Sequence, residues 1–276
     1  MRNAALSKTR PSDTGPSNAG PSNAVLWRRL LAELLGSAML AAIVIGSGIA
    51  AHTLSPGNVG LELFENAAAT ATGLFAIILM FGPISGAHFN PVVSLVDAGF
   101  GRLRWRDAAA YLPVQTLGCI AGAILANVMF SRAAISISTK HRASGAHWVS
   151  EVVATTGLVL VIFALARSGR SHLAPAAVGA YIGAAYFFTS STSFANPAIT
   201  VGRLFSNTFA GIAPSSVPSF LSAQVVGGLV AFGLVSALYP ALQPKGTPSC
   251  ISSPSEAATP ASAPPFEPGS STPASR

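Results

Sequence analysis

Apolar residues in this chain do not alternate with polar ones; they come in blocks long enough to cross a membrane. Six blocks stand out, at 27–51, 64–83, 107–130, 148–168, 174–189 and 217–240. A spanning helix needs about 20 mostly apolar residues. Lipid offers no partner to an exposed backbone group, so each block is expected to be a helix. Two further apolar stretches are too short to cross: PVVSLVDAGFG from Pro91 and PAITVGRLFSNTFAG from Pro197. Each follows an asparagine, Asn90 or Asn196. Asn caps a helix start well, and Pro suits the first helical position, where its missing N–H has no partner to lose. The pattern predicts an all-α membrane protein with six transmembrane helices and two re-entrant half-helices.

Composition strengthens that reading. Hydrophobic residues make up 50% of the 276 and charged residues only 9%, where a soluble domain carries about a quarter charged. The net charge of +7 raises the question of nucleic acid, but the placement of the cations answers it. With a cytoplasmic amino terminus, all lysines and arginines fall on the inner side except Arg132, Lys140, Arg142 and Arg203. That asymmetry predicts both termini in the cytoplasm and leaves no basic face for nucleic acid. Residues 1–25, with a near-repeated GPSNA unit and no apolar core, are expected to be a disordered cytoplasmic leader rather than a signal peptide. Residues 241–276, rich in Pro, Ser and Ala, are expected to be a disordered cytoplasmic tail. Cys119 lies in an apolar block and Cys250 in the tail, so no disulfide framework is expected.

The body, 26–240, divides into two repeats, about 26–131 and 147–240. In the first, Glu33 is followed by Asn90-Pro91 and then Gln115; in the second, Glu151 is followed by Asn196-Pro197 and then Gln224. Three spans per repeat is an odd number, so the second must sit inverted in the membrane. Inverted repeats place the substrate path near the midplane, at the repeat interface. Two half-helices entering from opposite sides then meet tip to tip, where their N-termini concentrate partial positive charge. The non-helical segments leading in, GPISGAHF and TSSTSFA, must line protein or a watery cavity. Carbonyl acceptors ending at two Asn amides make a path for small neutral hydroxylated molecules, and the central positive field turns back cations and protons.

SGAHFNPVVS and SFANPAI resemble the paired NPA boxes of the aquaporin and aquaglyceroporin (major intrinsic protein) family, over about residues 27–240. The resemblance implies a passive channel with one pore per subunit, no cofactor, and assembly as a homotetramer in a lipid bilayer. It places Asn90, Asn196, Pro91 and Pro197 at the pore waist, and the selectivity filter at Thr70, Ala184, Ser193 and Ile199. Val92 departs mildly from the usual Ala. Ile199 departs more, because the family normally has Arg there; Arg203 lies four residues on. A filter of small or uncharged residues is wider and less cationic, which implies glycerol-like polyols, undissociated metalloid hydroxides such as arsenous acid, and water as solutes. The FTSSTSFANPAIT context looks like the bacterial aquaglyceroporins associated with arsenic resistance, implying a bacterial inner membrane. The alternatives are a water-selective aquaporin and, from another class, an ion-coupled secondary transporter.

Several residues invite sharper roles. Glu33 and Glu151, carboxylates inside the membrane, either carry protons or accept hydrogen bonds from the irregular backbone beside each box, and their matched positions favour support. Gln115 and Gln224 are expected to support in the same way. His88 is expected to fix the geometry of the first loop, with pH gating as the alternative. No further ligands accompany it, so no metal site is expected. No nucleophile–base pattern such as GxSxG appears, so no enzyme activity is expected. The trio Arg102, Arg104 and Arg106 reads as a cytoplasmic topology anchor, with Trp105 at the interface.

Overall fold

The structure, a computed structural model, describes residues 23–240. The expectations for the tail, Cys250, Lys245 and Arg276, and for the leader up to residue 22, lie outside the described residues. Residues 23–25, placed in the leader on sequence grounds, begin the first helix instead.

Among the described residues there are six main helices: α1 (Asn23–Leu54), α2 (Val59–Ser85), α4 (Trp105–Met129), α5 (Gly145–Arg167), α6 (Ala174–Phe188) and α8 (Val217–Leu238). Between them lie two short ones, α3 (Pro91–Gly99) and α7 (Pro197–Gly202). Five of the six are long and apolar enough to span a membrane; α6 has only 15 residues. It is short because the chain leaves the helix at Thr189, whose backbone is extended, to begin the loop into the second box. No strand occurs among the described residues.

The inverted repeat is visible in the packing. α1 lies against α4 and α2 in the first half, α5 against α8 and α6 in the second, and α2 against α6 joins the halves. Gly118 of α4 sits where a Cβ would run into the Leu34 carbonyl and Ser37 of α1. Gly227 of α8 sits where a Cβ would meet the Val152 carbonyl, 2.6 Å away, and Thr155 of α5. Each follows its repeat's buried glutamine, Gln115 or Gln224, by three residues, on the same helix face. Small residues at these crossings let backbones approach where lipid removes the hydrophobic drive for helix association. Large apolar side chains such as Leu117, Leu125 and Leu229 point outward, as a bilayer requires. At one end Asp107 joins α4 to α1 through Arg29, 3.0 Å away, and is also contacted by Arg104.

Candidate functional site: two facing half-helices and the cavity between the repeats

Both short helices are built alike. Asn90 and Asn196 are extended, with φ −151° and −157°, and each caps its own helix. The Asn90 Oδ1 accepts from the Val92 N–H at 2.9 Å; the Asn196 Oδ1 accepts from Ala198 N–H at 2.9 Å and Ile199 N–H at 3.3 Å. Pro91 and Pro197 hold the first helical positions. Across the centre, Asn90 Nδ2 donates to the Ala195 carbonyl at 2.8 Å, and Asn196 Nδ2 donates to the Phe89 carbonyl at 2.7 Å. The two helix starts therefore meet through reciprocal bonds. A primary amide has two N–H groups. One on each Asn is used across the junction, and the other has no partner among the described residues.

The loops leading into the boxes depend on the two buried glutamates. Glu33 accepts from Ser85 Oγ (2.6 Å), His88 N–H (3.0 Å), Phe89 N–H (2.8 Å) and Gln115 Nε2 (2.8 Å). Glu151 accepts from Phe194 N–H (2.9 Å), Ala195 N–H (2.9 Å) and Gln224 Nε2 (2.7 Å). Each glutamine also reaches the first turn of its half-helix, Gln115 to Ser94 Oγ and Gln224 to Thr200 Oγ1. These loops place non-glycine residues in the left-handed region, Ala87 and Phe89 before the first box, Thr192, Ser193 and Ala195 before the second. That conformation costs about 1–2 kcal/mol per residue. It turns carbonyls away from helical geometry while the carboxylate receives the N–H groups.

One cavity of about 730 Å³ takes in both asparagines. Its lining runs from Arg29, Asp97 and Arg102 at one end to Ser193, Phe194, Ile199 and Arg203 at the other. The two loops contribute polar lining, and Leu40, Val44, Leu74 and Ile182 contribute apolar lining. Glu33 and Glu151 are fully buried and do not line it. His88 lines it, with Nδ1 3.0 Å from Ser94 Oγ and Nε2 3.6 Å from Asp97, which Arg102 also approaches at 3.5 Å.

Of the four positions assigned to the filter, Thr70, Ser193 and Ile199 line this cavity, and Ala184 does not. Ala184 is exposed on the far side of α6. Successive helical residues turn by about 100°. The α6 residues on the cavity are Ala174, Pro175, Val178, Ile182 and Tyr186, and Ala184 lies some 200° from the last two. The correction brings in Tyr186, whose hydroxyl lies 3.1 Å from Thr70 Oγ1. Its spacing of four from Ile182 was the signal in the sequence. Ser193 Oγ is buried without a partner.

The segment between α4 and α5 packs on the chain that follows α7. Ser136 and Ser138 N–H donate to the carbonyls of Phe205 and Leu204, and Asn127 Nδ2 donates to Phe205 O. Arg142 donates through Nε to Gly211 O at 3.0 Å. Burial pushes its guanidinium down to about 10. Lys140 donates to the Phe209 carbonyl at 2.8 Å, and burial, then the neighbouring Arg142 and Arg203 charges, push it down to about 8.

Comparison with known proteins places this geometry. A family profile described as "Major intrinsic protein" matches residues 21–193. Aquaglyceroporin AqpS of Rhizobium meliloti (strain 1021) is 48% identical over 210 residues, covering 76% of this chain and 89% of that protein. Aquaporin NIP1-4 of Oryza sativa subsp. japonica is 32% identical over 179 residues, covering 63% and 64%. The X-ray structure of the aquaglyceroporin from Plasmodium falciparum superposes with a TM-score of 0.59 at 20% identity, over 76% of this chain and 95% of that one.

Proposed function

Since the chain belongs to the major intrinsic protein family, whose members are membrane channels rather than enzymes, we propose that it passes small neutral hydroxylated solutes: glycerol-like polyols, undissociated metalloid hydroxides such as arsenous acid, and water. The observation that carries this reading is the junction of α3 and α7 inside the cavity. Two helix N-termini meet there, with one spare amide N–H on each of Asn90 and Asn196. Such a point attracts the oxygen of a neutral solute and opposes a cation, because both helix dipoles end there with positive sign. Leu40, Val44, Leu74 and Ile182 give the carbon face of a polyol its apolar wall. The similarity to a protein named aquaglyceroporin supports glycerol over water alone.

Glu33 and Glu151 act as supports for the loops, and His88 with Ser94 helps to fix the first of them. An ion-coupled transporter needs a titratable group in its path; here both glutamates are saturated by loop N–H groups away from the cavity wall. The protein works as a homotetramer with one pore per subunit, in a bacterial inner membrane, both termini cytoplasmic; family membership and the distribution of cations support this arrangement. Stopped-flow light scattering of proteoliposomes tests the solute assignment. Vesicles shrunk by a glycerol or arsenite gradient should re-swell faster than empty liposomes. Fast water shrinkage without solute-driven re-swelling would make it a water channel instead.

A further inference from the structure

Arg203 follows α7 directly and opens the turn Arg203–Phe205. It is only 2% exposed and forms no ion pair among the described residues. Its Nε donates to the Ala210 carbonyl, and its guanidinium carbon lies 3.4 Å above the centre of the Phe194 ring. The two terminal nitrogens have no hydrogen-bond partner among the described residues, yet neither is sealed away from accessible space. The accessible space beside this residue is the cavity that Asn90 and Asn196 share. A buried guanidinium without a carboxylate is costly unless something solvates it. The contents of the lumen are what remains to do so.

Its position is imposed by neighbours. A Cβ on Gly202 would stand 2.7 Å from the Cys119 carbonyl, so α7 is pressed against α4 at its end. Ser138 N–H holds the Leu204 carbonyl, and Asn127 holds Phe205 O and Ser206 Oγ. The second guanidinium near Phe194, that of Arg142, spends its donors on Gly211 and Phe209 carbonyls and does not line the cavity. Of the two cations, only Arg203 can offer N–H groups to the lumen.

We propose that Arg203 is a specificity-determining residue of the pore: its terminal N–H groups orient solute oxygens, and its fixed charge excludes cations from the outer half. The expectation of an uncharged filter, drawn from Ile199, is thereby replaced by a charge displaced one turn along the chain. A solute with adjacent hydroxyls accepts from Arg203 and lays its carbons on Ile199 and Phe194. The ligand class is a polyol or neutral hydroxide, so the assignment rests on the channel reading above.

Wild type, Arg203→Gln and Arg203→Lys, each reconstituted, test it through water, glycerol, urea and potassium fluxes measured side by side. Arg203→Gln should raise potassium leak at least tenfold and change the glycerol-to-urea ratio at least threefold. Water flux retained with leak and ratio unchanged would overturn the assignment. Should Arg203→Gln not reconstitute, Arg203→Lys decides: it keeps the charge but loses the planar fork. Cation exclusion should then persist while the glycerol-to-urea ratio shifts at least threefold, and an unshifted ratio overturns the assignment. Wild-type vesicles tight to every neutral solute would overturn the channel reading together with this one. Wild-type flux with unaltered variants would overturn this one alone.

Discussion

Glu151→Gln separates a support from a proton carrier. The carboxylate takes three hydrogen bonds, from Phe194 N–H, Ala195 N–H and Gln224 Nε2. Each bond to a charged group contributes about 1.5–3 kcal/mol. Glutamine has one acceptor oxygen. In one orientation its NH2 faces the Phe194 N–H; in the other it faces both Ala195 N–H and Gln224. At least one bond is lost, a buried N–H is left against another donor at about 1–3 kcal/mol, and the surviving bonds weaken with the charge gone. The loss sums to about 3–6 kcal/mol. Against it stands the loop, in which Thr192, Ser193 and Ala195 have φ of 61°, 47° and 48°. At about 1–2 kcal/mol each, their strain is of the same size. The loop therefore relaxes, Ala195 O leaves Asn90 Nδ2, and the waist loses its geometry. Glycerol-driven re-swelling should fall at least about tenfold, and the thermal midpoint in detergent should drop as well. A variant that keeps both would refute the reasoning. One that keeps its midpoint while uptake loses only its response to a proton gradient would make Glu151 a carrier.

Ile199→Arg sets a guanidinium one turn before Arg203, on the same cavity. Glycerol permeability should fall about tenfold or more while water falls less, and equal glycerol flux would show that residue 199 does not face the path. Gly227→Val forces a branched side chain into the Val152 carbonyl and Thr155. Overpacking of this kind costs about 1–3 kcal/mol, and the rigid backbone neighbour sets it at the upper end; an unchanged thermal midpoint would contradict the close crossing of α5 and α8. Lys140 gives a pH effect. Its folded value, about 8, lies below its ordinary 10.5, so between those values the unfolded chain binds more protons and stability rises with pH. The thermal midpoint should climb across that window and climb less in Lys140→Gln; identical slopes would refute the link.

Much of the fold could be read in the sequence because a membrane leaves the chain few options. Block length alone gave the helices, and the Asn-Pro pairs gave the starts of α3 and α7, since capping is local chemistry. The bounds of α6 were already in the block at 174–189, but the reason for its end at Thr189 was not: it depends on the loop that Glu151 organises, a contact 43 residues away for Phe194. The site divides the same way. Thr70, Ser193 and Ile199 sit on the cavity, the last two fixed by adjacency to the second box. Ala184 was misplaced because counting back from the box crosses the irregular segment 189–196, where helical phase is lost. Tyr186 was passed over, and Arg203 was noted beyond Ile199 but given no filter role. Both owe their place on the cavity to tertiary packing, Tyr186 through Thr70 and Arg203 through Phe194 and the carbonyl of Ala210.

Tracer glycerol uptake into proteoliposomes, taken as initial rate against concentration at several imposed potentials, reaches the central claim most directly. A water-filled passage between the two half-helices predicts a rate linear in concentration, indifferent to voltage and to a protonophore. Uptake that saturates at low concentration and collapses when the proton gradient is dissipated would contradict it.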